Sequence, residues 1–213
     1  MSRRRMMELK QDKNTVSLFH CDDTNGTDAK GFATVQSKSL VAVVGKFGDA
    51  NVGYAKYQLN QWENLILNSD WTIDFWIYPG IKNDWQVVLY LGGDSKGTAN
   101  IRLQVDSNQS KLVFFLSNGS GWIVNGDSVG IKLAEWQHVA LVYPKNTKTL
   151  MLFVDGIEKY SHTFNPTSAP GSYHYIGAGW SSNINDNSYR DEIRFSNVAR
   201  WTTNFIPPTN PYN

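Results

Sequence analysis

Short alternations of apolar and polar residues run through most of the chain. In "WTIDFWIYP" (71 to 79), Ile73, Phe75 and Ile77 alternate with the residues between them, and a Pro-Gly pair then ends the run. Because successive side chains of a strand point to opposite faces, this two-residue period predicts a β-strand. Comparable runs occupy 15–20, 85–93, 99–106, 111–117, 136–144, 149–156, 157–164 and 173–179. The chain is therefore predicted to be rich in strands.

The segments between these runs have the composition of tight turns. Gly, Asp, Asn and Ser cluster there at hairpin spacing, and Asp155-Gly156 supplies residues that tolerate positive φ. A helical period is hard to find beyond a possible turn at "LAEW" (133 to 136). We therefore expect an all-β fold, a two-sheet antiparallel β-sandwich of the jelly-roll type.

One run near the end of the chain combines a carboxylate with apolar residues. In "SYRDEIRFSNVARW" (188 to 201), simple alternation predicts that Asp191 shares a face with Ile193 and Phe195. A buried carboxylate costs several kcal/mol unless another group compensates it. Three compensating groups are open at this point: an arginine, a set of backbone amides, or a metal ion.

Length and composition indicate one domain with a basic N-terminal arm. A chain of 213 residues with 41% hydrophobic content can bury one sizeable core. We assign residues 1–14 to the arm and residues 15–213 to a single domain that ends in a Pro-rich tail. Arg3, Arg4 and Arg5 have few acidic neighbours, so we expect the arm to dock on another subunit of an assembly.

Charge and hydropathy argue against several kinds of partner. A net charge of +1 gives no general reason to expect nucleic acid or an acidic membrane surface. The chain has no apolar run of about 18 residues, and no signal-peptide core follows the arginines. We therefore expect assembly in the cytoplasm. Cys21 is the single cysteine, which excludes an internal disulfide and a thiolate cluster.

Four stretches in order resemble the laminin-G-like (concanavalin A-like lectin/glucanase) jelly roll. They are "SLFHCD", "WTIDFWIYP", "WQHVALVY" followed by "LMLFVDG", and "YRDEIRFSNVARW". The resemblance runs from about Val16 to about Pro208. The ending "DEIRFSNVARWTTNFIPP" is similar to a subgroup seen in bacteriophage structural proteins and bacterial surface proteins. It implies a location in a virion, with a bacterial cell surface as the alternative.

The resemblance also implies a structural calcium ion. In many members an acid after the first strand, an acid in the last strand and loop carbonyls bind it, which here implies Asp22, Asp191 and the backbone near Gly48. Calcium takes six to eight oxygen ligands, so carboxylates and carbonyls suit it. Asp23 stands where the family usually has glycine, and it either adds a ligand or alters the turn. An ion pair of Asp191 with an arginine is the competing interpretation.

Nothing in the sequence matches the catalytic residues of the glucanases that share this fold. Retaining hydrolysis needs two carboxyls about 5 Å apart, and the glutamates form no E-x-D-x-E strand. We expect Asp74 and Asp106 to be solvated or hydrogen-bonded rather than catalytic. No nucleophile-elbow motif accompanies the histidines, which we expect to be half-buried: His20, His138, His162 and His174. A non-enzyme is predicted over a relative of the glycoside hydrolases.

Binding remains as the function, and exposed aromatic residues indicate where. The loop "GWSSNINDNSY" (179 to 189) combines a tryptophan with amides and hydroxyls that suit sugar hydroxyl groups, and its candidate ligand-binding residues are Trp180, Asn183, Asn185, Asp186 and Tyr189. Trp122, in "NGSGW", is a second candidate. An ordinary polar loop is the alternative. We therefore expect a carbohydrate-binding module, or an architectural virion protein with a protein partner.

Overall fold

The computed structural model describes residues 12–59, 62–81, 85–92, 99–106, 108–168, 171, 173–177 and 187–212. The proposed docking residues Arg3, Arg4 and Arg5 lie outside them.

The described chain is almost entirely β-structure. Its elements are β1 (Thr15–Phe19), β2 (Ala33–Val44), β3 (Asp49–Leu59), α1 (Trp62–Asn68), β4 (Trp71–Tyr78), β5 (Trp85–Leu91), β6 (Ala99–Asp106), β7 (Lys111–Asn118), β8 (Trp122–Gly130), β9 (Gln137–Tyr143), β10 (Thr149–Val154), β11 (Ile157–Thr163), β12 (His174–Ile176) and β13 (Tyr189–Ser196). The sequence prediction missed α1, because a helix of seven residues has too few turns to show a helical period.

The strands form two antiparallel layers. The first sheet has the order β11-β10-β9-β4-β13, with β1 paired to β13; the second has β3-β12-β5-β6-β7-β8, with β2 paired to β3. A single residue pair, Arg190 with Asn51, joins β13 to β3 where the hydrogen-bonded path passes from one layer to the other. The predicted two-sheet antiparallel sandwich is confirmed, and its first strand, β1, pairs with its last, β13.

Aromatic side chains from both layers meet in the core. Phe114 on β7 contacts Tyr160 on β11 edge to face, with 4.4 Å between ring centroids, although these strands lie far apart along the path. Phe19 on β1 and Tyr57 on β3 approach to 4.7 Å. The apolar side chains of the strands therefore point between the two sheets. The side chains that alternate with them point to the outer faces.

The C-terminal segment 197–212 covers the outer face of the first sheet. Trp201 and Phe205 stack at 3.9 Å and pack on a buried cluster: Ala140, Val142, Met151 and Phe153. Tyr212 packs with Leu18 and Trp76. Strand β9 is buried along its whole length for this reason, since the core covers one face and this segment covers the other.

A β-bulge in β13 changes the predicted orientation of Asp191. The register with β4 shifts between Asp191 and Arg194, where Glu192 has φ of 52°. Asp191 therefore lies opposite Trp76 on the outer face, whereas Ile193 packs in the core. The prediction that Asp191 shares a face with Ile193 is wrong, because an extra residue in a strand reverses the alternation.

Candidate functional site

The turn between β2 and β3 brings the three predicted calcium residues together. The Oδ2 atom of Asp191 accepts hydrogen bonds from the amides of Lys46, at 2.8 Å, and Phe47, at 2.9 Å. Asp22 Oδ1 accepts the amide of Asp49 at 3.2 Å, and a Cβ on Gly48 would lie 3.0 Å from the same oxygen. The two carboxylates thus hold the same turn.

The environment of Asp191 shows how its charge is compensated. Backbone amides hold Oδ2, whereas Oδ1 is buried and has no hydrogen-bond partner. Of the arginines that were candidates for an ion pair with Asp191, which are Arg190, Arg194 and a distant arginine, Arg194 pairs with Asp74 instead. Burial raises the pKa of the Asp191 carboxyl to about 6, against the lowering effect of the Phe47 and Lys46 amides. The compensation by amides is therefore partial.

These residues fit a calcium ion in the chemistry of their donors. The orphaned Oδ1 of Asp191 is a hard oxygen ligand, and Asp22 supplies a second carboxylate. The Gly48 carbonyl accepts the Gly45 amide at 2.8 Å and retains a second lone pair. In the described part of the chain no three acidic, His or Cys side chains are grouped to hold a metal, so carbonyls and water must complete any coordination shell.

A second candidate site lies on the outer face of the second sheet. Trp122 opens β8 and is 49% exposed. Its ring lies 5.9 Å from that of Phe115 in an edge-to-face contact, and the Arg102 guanidinium carbon stands 3.9 Å from the Phe115 centroid and 5.8 Å from that of Trp122. Ser117 pairs with Trp122, and Asn125 pairs with Phe115. We call these five residues the Trp122 corner.

The alternation of side chains along β6 and β7 explains why these residues share one face of the sheet. Ile101 and Leu103 point into the core, so Arg102 between them points out, and Phe114 in the core leaves Phe115 on the outer face. Gly126 has φ of 95°, and a Cβ there would lie 3.6 Å from the Phe115 ring. Trp122 is predicted from the sequence, whereas Arg102 and Phe115 are not, although the second phenylalanine of "VFFL" occupies an outward-facing position of its strand.

The other predicted ligand-binding residues come from the segment 179–189, which is only partly described. Trp180, Asn183, Asn185 and Asp186 lie outside the described residues. Tyr189 belongs to β13 of the first sheet and stacks on Tyr78, with centroids 5.3 Å apart.

Two of the strand acids and two of the histidines are buried in the interior: Asp74, Asp106, His138 and His174. Asp74 is fully buried and bonded to Arg194, and Asp106 accepts the amide of Asn108, as expected for acids without a catalytic role. His138 and His174 are fully buried, so the prediction of half-buried histidines is wrong for these two. Two-sided burial is the reason at His138, since β9 is covered on both faces.

No helix in the described ranges is both long enough and apolar enough to cross a membrane.

Solved structures with the same fold include two toxin binding domains. The binding domain of Paraclostridial Mosquitocidal Protein 1 shares 17% identity at a TM-score of 0.67, over 87% of this chain and 49% of that one. The binding domain of botulinum neurotoxin serotype D shares 10% identity at a TM-score of 0.64, over 87% of this chain and 49% of that one. The chain spans about half the length of these structures, and at such low identity the likeness shows a shared fold.

Sequence comparison gives the family. Among curated proteins there is no significant match. Residues 50–203, more than half of the chain, match the sequence profile of Laminin_G_3, described as the concanavalin A-like lectin/glucanases superfamily. The predicted resemblance is thereby confirmed, and the chain belongs to this family.

Proposed function

We propose that the protein is a non-catalytic binding module that recognises carbohydrate through the Trp122 corner. The observation that carries the proposal is the exposure of Trp122 beside a second aromatic ring and a cation on one sheet face. An exposed indole offers an apolar face to a sugar ring, while polar groups beside it bond the hydroxyls. The exposed side-chain amide of Asn125 supplies such groups.

The comparisons support binding without catalysis. Both solved structures named above are described as binding domains, one from a mosquitocidal protein and one from a neurotoxin. The Asp74 carboxylate is engaged by Arg194, and Glu192 is engaged by His20 at 2.9 Å, which leaves neither acid as an available catalytic group. These contacts favour a role in binding a ligand over a role in converting a substrate.

Trp85 provides a matched control for Trp122. It is 48% exposed, and it pairs with Asp106 at the opposite end of β6 from Asn100, which pairs with Ser117 of the corner. Six residues of strand separate these ends by about 20 Å. On a glycan array, Trp122→Ala should lose binding and Trp85→Ala should retain it. Absence of any bound glycan, or equal loss in both variants, would contradict the proposal.

The proposed setting of the module is a bacteriophage virion assembled in the host cytoplasm. Its support is the similarity of "DEIRFSNVARWTTNFIPP" to bacteriophage structural proteins, and the arginines of residues 1–14 are the proposed contact with other virion subunits. Mass spectrometry of purified particles tests this setting directly. Detection only on the bacterial surface would favour the alternative of a cell-surface lectin-like protein.

We also propose that Asp22, Asp191 and the backbone near Gly48 hold a structural calcium ion. Bound calcium supplies positive charge to oxygen ligands and has no catalytic role here. The support is the buried Asp191 Oδ1, which lacks a hydrogen-bond partner, and the Asp22 carboxylate on the same turn. Asp22 follows β1 and Asp191 lies in β13, so an ion between them would join the first strand to the last.

A further inference from the structure

We infer that the protein forms a two-fold symmetric dimer in which strand β2 pairs with β2 of a second copy. The inference goes beyond carbohydrate binding and does not depend on it. Its basis is the outer edge of β2. This strand pairs with β3 alone, and its residues 34–44 make no other backbone hydrogen bond with the described part of the chain.

The four strands at the sheet edges differ in how well they are protected. Within the described ranges these strands are β1, β2, β8 and β11. An unpaired edge can add a strand of another chain, so proteins protect edges with short strands, bulges, charges or covering segments. β1 has only five residues, and Leu18 on it bonds Asp28 Oδ1 and the amide of Ala29. The segment that follows β1 therefore covers its edge.

Bulges and charges protect the edges of β8 and β11. The register of β8 with β7 shifts twice, and β8 carries Asp127. The register of β11 with β10 shifts once, and β11 carries Glu158 and Lys159. The amide of Glu158 also donates to Asn204 Oδ1 at 2.9 Å, so the C-terminal segment covers part of this edge.

The second half of β2 has no such protection. Residues 37–44, "SKSLVAVV", pair with β3 without a shift in register and contain no proline, glycine or acid. Val41 is 59% exposed and Val44 is 85% exposed. A regular, apolar edge strand of this kind is a site for pairing with another chain.

The single charge of this segment is directed towards its own chain. Lys38 Nζ donates to the Thr24 carbonyl at 2.6 Å and to Asn25 Oδ1 at 3.0 Å. A lysine that projects from an edge strand discourages pairing. These two bonds instead draw the ammonium group back to the connection between β1 and β2, so the edge itself stays open to a partner.

The partner is a second copy because this edge is complementary to itself. Residues opposite each other in an antiparallel pair both point their backbone groups towards the partner strand or both point them away. Two identical strands therefore meet with one residue opposite its own counterpart, on the two-fold axis. An axis at Val41 buries the two exposed Val41 side chains against each other. It places Leu40, Ser39 and Lys38 opposite Ala42, Val43 and Val44 of the second copy.

This arrangement brings no like charges together and closes after two copies. Lys38 lies beside a valine of the second copy, and the net charge of +1 gives little repulsion between copies. Each copy offers one unprotected edge among the described strands, and a two-fold axis uses both edges at once. We therefore expect a dimer rather than an open chain of subunits.

Sedimentation velocity of the full-length protein tests the inference at about 1 to 100 μM, where weak complexes associate. One strand edge is a small interface, so the dimer should form reversibly as concentration rises. Val41→Lys sets two like charges opposite each other and should raise the dimer dissociation constant about tenfold or more. Ile157→Lys changes a residue that is 44% exposed on the protected edge of β11, and it should leave the dissociation constant unchanged.

Cross-linking tests the position of the axis. Paired Cα atoms in antiparallel strands lie about 4.5–5.5 Å apart, which a disulfide can span. Mild oxidation of Val41→Cys should therefore give a covalent dimer on a non-reducing gel. Ile157→Cys and the wild type, which has only Cys21, should stay uncross-linked under the same conditions.

The outcomes decide both the dimer and its surface. A monomer over the whole concentration range overturns the inference. A dimer that tolerates Val41→Lys and resists cross-linking through Val41→Cys uses another surface, which also overturns it. Equal weakening by Val41→Lys and Ile157→Lys would indicate a general effect of charge and would count against β2. Melting temperatures of the variants establish that each is folded, and no glycan enters the test, so the proposed function stands or fails separately.

Discussion

Arg194 on β13 binds the Asp74 carboxylate on β4 through two parallel hydrogen bonds, from Nε at 2.9 Å and from Nη2 at 2.8 Å. The His138 ring approaches the same carboxylate at 3.3 Å and the Tyr212 hydroxyl at 2.9 Å. The Arg194 guanidinium also stacks on the Tyr212 ring at 3.9 Å. The C-terminal segment therefore seals a charged pair against the outer face of the first sheet.

Removing one partner of this pair should be strongly destabilising. Arg194→Met leaves the Asp74 charge buried without compensation, which costs about 3–5 kcal/mol in comparable cases. The exposed pair of Lys132 with Glu135, at 3.1 Å, provides the control, and Lys132→Met should cost less than about 1 kcal/mol. Urea unfolding measures both changes. Equal losses of unfolding free energy in the two variants would show that burial does not increase the contribution of the Arg194–Asp74 pair to stability.

The same pair should make stability depend on acid pH. Burial alone would raise the pKa of Asp74, but the charge of Arg194 and hydrogen bonds from His138 and Arg194 outweigh it and lower that pKa to about 2. Tyr212 is the other titratable group that faces it. Because the folded pKa lies below the unfolded value of about 3.9, the pair contributes about 2 kcal/mol above pH 4. That stability is lost as the pH falls through about 2.

Unfolding free energies at pH 5 and pH 2 test this dependence. Wild type should lose about 2 kcal/mol more than Asp74→Asn over this interval, since asparagine does not titrate. Equal losses in the two proteins would assign the acid sensitivity to other carboxylates.

Calcium should stabilise the fold if the proposed site binds it. A ligand at about 100 times its Kd adds about 2.7 kcal/mol of stability, and about 2–4 °C in Tm is expected per kcal/mol for a chain of this size. Chelation should therefore lower Tm by several degrees, and Asp191→Ala and Asp22→Ala should each abolish the response. Asp127→Ala, remote from the β2–β3 turn, should retain it. An unchanged Tm on chelation of wild type would argue against the site.

The packing of the C-terminal segment predicts a contrast between two of its residues. Trp201 packs on the buried cluster of the first sheet, so Trp201→Ala should cost about 3 kcal/mol. Ile206, in the same segment, is 87% exposed, and Ile206→Ala should change stability by less than about 0.5 kcal/mol. Denaturant unfolding decides between this contrast and a loosely attached tail, for which both changes would be small.

Deleting part of the N-terminal arm tests its proposed docking role. Asp12 bonds the Arg200 guanidinium and the Thr15 hydroxyl, so the deletion should stop at residue 11. Removal of residues 2–11 should leave Tm nearly unchanged and prevent incorporation into particles, measured by mass spectrometry of purified virions. Normal incorporation would exclude docking by the arm, and an unfolded product would place the arm within the fold.

The alternation of apolar and polar residues is sufficient to predict the sandwich, because the inward-facing positions of most strands are apolar without interruption. Ile73, Phe75 and Ile77 were predicted to share a face, and all three are buried in the core. The prediction failed where local geometry breaks the period. The bulge at Glu192 depends on its φ of 52°, which no alternation rule contains, and it reversed the face of Asp191.

The candidate sites were only partly predictable for a related reason. Trp122 was found because it stands in a glycine-rich turn, where an indole is unusual. Arg102 and Phe115 lie in ordinary strands, and their relationship arises from cross-strand register, which pairs them directly. That register is set by the turn that joins the two strands and by their combined hydrophobic pattern, not by either strand alone.

The pairing of β1 with β13 places the start of the described chain at the first sheet. Asp12 is bonded to Arg200 beside the first sheet, whereas the Trp122 corner lies on the outer face of the second. A tether that leaves the domain at Asp12 therefore starts from the layer opposite the corner. Anchorage at that end would orient the exposed indole away from the supporting surface and towards whatever approaches it.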